Sequence, residues 1–69
     1  MNKNKLVSVM KLHGDTQEDL AKELKLSLGR TNAKINSTDG AEFTMGEMQK
    51  IRTLYQLTAD EVMEIFFCE

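Results

Sequence analysis

The sequence contains no proline, a single cysteine and no long apolar run, and each absence narrows what the chain can be. Without proline, and with β-branched residues scattered rather than consecutive, it favours helix throughout. Cys68 has no partner for an internal disulfide, which suits a reducing, cytoplasmic compartment. The longest apolar stretch near the C-terminus, Ile65-Phe66-Phe67-Cys68, falls far short of the roughly 20 residues of a membrane span. The opening Met1–Gly14 segment carries lysines but no sustained apolar stretch, so no signal peptide is expected. No combination of residues supports a metal site, and no cofactor is expected. His13 lacks a cysteine, a second histidine or a nucleophile to work with, and fits a packed or dipole-facing role near a helix end. The remaining candidates for acid chemistry, Asp60, Glu61 and Glu64, are accounted for by helix capping and solvation. Catalysis is therefore not expected, nor is a small-molecule substrate.

The chain is 69 residues long, enough for one domain. A domain this small buries only about 60% of its unfolded surface and leaves little room for an enzyme pocket. Its apolar fraction of 41% and charged fraction of 29% are those of a soluble globular protein. The formal net charge of −2 does not by itself favour a polyanionic partner, but it conceals an asymmetry. Residues 1–36 hold seven basic groups against four acids, whereas residues 37–69 hold Lys50 and Arg52 against seven acids. A basic half joined to an acidic half fits a polyanion-facing surface with its back to solvent or a partner. Two solvated surfaces of unequal charge fit equally well.

Helix starts are legible from capping residues. Thr44-Met45-Gly46-Glu47 and Thr58-Ala59-Asp60-Glu61 both have the form of a capping box, flanked by Phe43 with Met48 and by Leu57 with Val62 as hydrophobic staples. Thr16 with Asp19 is a shorter-armed version, and Ser27 is a fourth N-cap. Gly14 marks the end of the first helix, where a left-handed residue is needed. These signals predict helices over about 3–13, 17–24, 28–36, 45–56 and 59–67. Each carries an apolar stripe at spacings of three and four: Leu6, Val9 and Met10; Leu20, Ala21 and Leu24; Thr31 and Ile35; Met48, Ile51 and Tyr55; Val62, Ile65 and Phe66. None is long enough to stand alone, so all five must pack together. The chain shows no internal repeat and no low-complexity tract.

At about 100° per residue, Thr31 and Ile35 define the inward face of the third helix, with Leu28 and Lys34 at its edges. Gly29, Ala33 and Asn36 then face outward, flanked by Arg30 and Asn32. Two small residues would allow close approach to another surface, and the guanidinium and amides around them match the edges of guanine and adenine. An ordinary solvated face would contain similar residues.

The elements that carry a family likeness are Thr16-Gln17-Glu18, Leu20-Ala21, Leu24, Leu26-Ser27, Lys34-Ile35-Asn36, Phe43-Thr44, Glu47, Ile51 and Leu57-Thr58. Over about residues 5–67 the chain resembles the phage repressor and Cro-like helix-turn-helix proteins of the xenobiotic-response-element (XRE) family. The resemblance implies an all-α, compact five-helix domain of the lambda repressor-like fold, with the helix-turn-helix at about 17–36. It implies a transcriptional regulator that binds a double-stranded DNA operator as a homodimer, with its third helix in the major groove. Carried over by position, Gln17 would bind a phosphate, Leu28, Gly29 and Ala33 would meet bases, and Asn36 and Ser37 would lie against the backbone. The candidate interface is completed by Thr16, Ser27, Arg30, Asn32 and Lys34, with Lys22 and Lys25 near the groove.

The chain departs from the family pattern where Lys25 and Ser37 replace frequent glycines. The base-facing Leu28, Gly29 and Ala33 also lack hydrogen-bonding side chains, which leaves readout to Arg30 and Asn32, to thymine methyl contacts or to DNA shape. The alternatives to a regulator are a small helical interaction module that keeps the fold but binds protein, and an antitoxin that does both. At the C-terminal end, Met63, Phe66 and Phe67 are candidates for a dimer contact.

Overall fold

Every helix in the computed structural model, which describes residues 1–67, begins at a side-chain oxygen that accepts a backbone N–H. Asn2 caps α1 (Lys3–Leu12), Thr16 caps α2 (Gln17–Leu24) and Ser27 caps α3 (Leu28–Asn36). Thr44 and Thr58 cap α4 (Met45–Tyr55) and α5 (Ala59–Val62). All three expected boxes form in full: Asp19, Glu47 and Glu61 each accept the N–H of their own cap residue, at 2.9, 2.9 and 3.0 Å. Those backbone N–H bonds, reinforced by the threonine hydroxyls, hold the Asp19 and Glu61 carboxyls below the usual range. The Asn2 cap had no counterpart among the sequence signals.

Helix ends are as uniform as helix starts. Gly14, Lys25, Ser37 and Gln56 all adopt the left-handed conformation that closes a helix, with φ of 73°, 58°, 54° and 52°. Only the first is a glycine. The last helix departs from expectation. It is α-helical only to Val62 and continues as a wider π-helical turn, Met63–Phe67; Cys68 lies outside the described residues. The carbonyl of Ile65 accepts the Asn2 N–H at 2.7 Å, which fastens this turn to the beginning of the chain.

The fold is all-helical among the described residues, with one additional 3-10 turn, Thr38–Gly40, between α3 and α4. The expected stripes meet in one core. Leu6, Leu20, Thr31, Ile35, Ile51 and Ile65 are essentially inaccessible, and Val9, Met10, Ala21, Leu24, Tyr55 and Phe66 are buried around them. The staple residues Phe43 and Leu57 are buried too, although they lie outside helices, because the chain must turn inward there before each capping box. Phe43 meets Phe66 edge-on with ring centroids 6.0 Å apart. Two polar groups enter this core on different terms. The Tyr55 hydroxyl donates to Asp15 at 2.9 Å, and burial followed by that carboxylate pushes its pKa upward, so it remains a phenol. The His13 ring, at the end of α1, lies against Tyr55 at 4.9 Å. The Thr31 hydroxyl, in contrast, is buried with no hydrogen-bond partner. The radius of gyration, 10.8 Å, matches the roughly 11 Å expected of a chain this long, so no helix stands off the core.

Candidate functional site

α3 lies between two supports, and the side chains that reach them lie on opposite flanks. Thr31 and Ile35 anchor its inner face. About 100° round the helix from Thr31 stands Asn32, whose Nδ2 donates to Oε1 of Gln17 on α2 at 2.9 Å. On the other flank Lys34 donates to Oε1 of Glu47 on α4 at 2.6 Å. Both partners of this ion pair are largely buried, with side chains 12% and 15% exposed. Burial alone would push the Glu47 pKa up. The Lys34 ammonium and the Thr44 cap together outweigh it, and the carboxyl ends below its usual range.

Between these flanks α3 presents an outward ridge. Gly29, Arg30 and Asn36 are exposed and Ala33 is half-buried, while Leu28 at the helix start is 50% exposed. A methyl group added at Gly29 would meet no atom within 4 Å, so nothing in the domain itself requires a glycine there. Arg30 forms no salt bridge among the described residues, and no acidic residue occurs between Leu24 and Thr38. The ridge is therefore small at its centre and cationic at its edge.

Several of the other expected interface residues are already engaged within the fold, whereas Lys22, Lys25 and Ser37 are exposed. The Thr16 hydroxyl accepts the Asp19 N–H at 3.2 Å and donates to the Asp19 carboxylate at 3.0 Å. Ser27 accepts from the Arg30 N–H at 3.1 Å, and Ser37 is the exposed left-handed residue that closes α3. Lys34 is committed to Glu47, which could not be foreseen because the two residues belong to different helices. Asn32 is likewise committed to Gln17, and Asn36 donates to Asn32 in turn. Gln17 itself is half-buried at the head of α2.

The turn from α2 to α3 is Lys25-Leu26-Ser27. Lys25 is left-handed, the Leu26 N–H donates to the Ala21 carbonyl at 2.9 Å, and Ser27 caps the next helix. The same construction recurs from α4 to α5 as Gln56-Leu57-Thr58, with the Leu57 N–H donating to the Arg52 carbonyl at 2.9 Å. A motif of three residues is too short to register as an internal repeat; the polar-Leu-Ser/Thr pattern is the signal that reveals it.

Elsewhere the surface offers less chemistry. An open groove of about 570 Å³ runs between α2 and α4, lined by Glu23, Leu24, Lys25, Gln49, Lys50, Thr53 and Leu54. A smaller depression of about 280 Å³ lies near Met1, Phe43, Met48 and the C-terminal turn. Among the described residues no three His, Cys, Asp or Glu side chains stand together as a metal site would require. None of the described helices is long and apolar enough to cross a membrane. Of the three residues expected at a dimer contact, Met63 and Phe67 are exposed but Phe66 is not, because its ring fills the core beside Phe43. Compared with protein-family models, curated proteins and solved structures, the chain matches none of them.

Proposed function

We propose that the protein is a sequence-specific DNA-binding regulator of the phage repressor and Cro-like helix-turn-helix type, with α3 inserted in the major groove. The observation that carries this is the outward ridge of α3: an unobstructed Gly29, a half-buried Ala33 and an exposed Arg30 with no salt bridge among the described residues, on a segment free of acids. A B-DNA major groove about 12 Å wide admits one helix, and small residues let its backbone approach the bases. The partner is a double-stranded operator, met by a homodimer whose two α3 helices lie about 34 Å apart, one turn of the duplex. Arg30 supplies the fork that suits guanine, while Leu28 and the Ala33 methyl suit the thymine C5-methyl group. Lys22 and Lys25 face the phosphates; occupancy of the operator alters transcription in the cytoplasm.

A salt series of duplex-binding titrations tests this. Affinity falls with log salt at a slope of about −0.9 for each phosphate neutralised. An affinity indifferent to salt, or no binding at micromolar protein, rules the proposal out. A second reading, a protein-binding module or antitoxin that keeps this architecture, is favoured by one observation. Met63 and Phe67 stand exposed on an acidic segment that has no basic residue after Arg52. Duplex binding without salt-sensitive contacts, or none at all, would bring that reading forward.

A further inference from the structure

The chain carries an apolar knob and an apolar groove that do not meet within one copy. The knob is on the last helix and its π turn, where Asp60, Met63, Glu64 and Phe67 are all exposed. Spacings of three and four set them on one side. Met63 and Phe67, 57% and 53% exposed, form its apolar centre, and both are side chains that interfaces favour over open surface. Two acids flank them. Lys5 holds the Glu64 carboxylate at 3.5 Å, whereas Asp60 forms no salt bridge among the described residues. The groove is the open channel between α2 and α4. Its floor is the buried Leu24 and the half-buried Leu54. Its rims differ in charge: Glu23 stands on α2 and Lys50 on α4, neither in a salt bridge among the described residues. Lys25 lines the groove too, at the turn where the proposed function places a phosphate. No residue of α5 or the π turn lines it.

We infer that the α2–α4 groove receives the α5 knob of a second copy, with Met63 and Phe67 over Leu24 and Leu54 and Asp60 beside Lys50. Charge fixes the orientation, because the reverse one sets Asp60 against Glu23. Knob and groove are different patches, so the contact is heterologous. Two copies joined in this way still have one groove and one knob unfilled, and further copies add head to tail instead of pairing about a two-fold axis. The contact needs no duplex and stands apart from the DNA-binding function proposed above.

Mixing two variants and recording nitrogen-15 spectra tests the assignment. Phe67→Ser removes the knob and keeps the groove; Lys50→Glu spoils the groove and keeps the knob. Labelled Phe67→Ser should show shifts at residues 23–25 and 49–54 when unlabelled Lys50→Glu is added, and none with unlabelled Phe67→Ser. Labelled Lys50→Glu should show shifts at residues 59–67 with unlabelled Phe67→Ser, and none with unlabelled Lys50→Glu. If Phe67→Ser does not fold, Asp60→Lys replaces it as the knob variant. Lys50→Glu in the otherwise unchanged chain should weaken association, read from the same shifts on dilution, by about tenfold or more. Adding Asp60→Lys to that chain should restore it to within about threefold, because the exchanged charges attract again. A double variant no better than Lys50→Glu overturns the pairing of Asp60 with Lys50. Shifts at residues 59–67 between two copies of Lys50→Glu mean that α5 pairs with α5, and overturn the groove as its partner. Groove shifts between two copies of Phe67→Ser mean that another segment fills it. No shifts in either mixture at millimolar protein overturn the inference and leave DNA binding untouched.

Discussion

The α2–α3 and α4–α5 junctions share a backbone and differ in nearly everything their side chains present. Each has a left-handed non-glycine residue, then a leucine turned inward, then a hydroxyl cap, and each leucine N–H returns to the carbonyl five residues earlier. Beyond the turn, however, α3 carries Arg30 and Lys34 and no acid, whereas Asp60, Glu61 and Glu64 follow the second turn with no base among them. α3 is a regular helix of nine residues, whereas α5 gives way to a π turn after four. The turn geometry is thus a local solution that the chain uses twice. What sets one copy apart is charge, length and the small residues on its exposed ridge.

The two supports of α3 can be broken separately, and the largest effect is expected at the buried one. Glu47→Ala removes both the α4 capping box and the partner of a largely buried ammonium, and should lower stability by about 2–3 kcal/mol. At 4–8 °C per kcal/mol for a domain this size, the melting temperature should fall by roughly 10–20 °C. The same carboxyl sets part of the acid limit. The folded pKa values of Glu47, Asp19 and Glu61 lie below their unfolded values, so their stabilisation is fully present above the unfolded carboxylate range. It is lost as pH falls through the folded values, and a melting series from pH 6 to pH 3 should show that loss blunted in Glu47→Ala.

The next effect distinguishes the junctions by charge. Arg30→Ala should weaken binding to the preferred duplex by about tenfold or more and flatten the preference among sequences. The change Asp60→Lys on the other junction should not transfer binding to α5; competition titrations of the two variants would show which helix matters. Thr31→Val replaces the unpartnered buried hydroxyl with a methyl of similar size, and should raise stability by about 1 kcal/mol in denaturant unfolding. The smallest effects bear on the turns themselves. Lys25→Gly and Gln56→Gly relieve a left-handed side chain and should each stabilise by roughly 0.5–1 kcal/mol. Unequal gains would mean that the two turns are not equivalent.

The positions of the helices were open to inspection in the sequence because their signals are local. Thr44 with Glu47 and Thr58 with Glu61 mark helix starts within four residues, and stripes such as Leu20-Ala21-Leu24 show the buried face within two turns. The outward placement of Gly29 and Arg30 follows from the same periodicity. What depends on two helices meeting was not accessible in this way. Lys34 looks like a free cation until Glu47 is found beside it, thirteen residues away in sequence. Asn32 looks unattached until Gln17 is found to accept from it. Tyr55 and Asp15 are paired across forty residues. The shortening of α5 also escapes a pattern that fits both an α and a π turn, since Val62, Ile65 and Phe66 turn one side inward in either.

The most direct test of the central claim is a nitrogen-15 chemical-shift titration of the protein with a short duplex at low salt. The perturbed amides should cluster at Gln17 and along Leu28–Asn36, with α5 and the π turn unchanged, and the shifts should reverse as salt is added. Shifts centred on residues 59–67, or none at all, would contradict it.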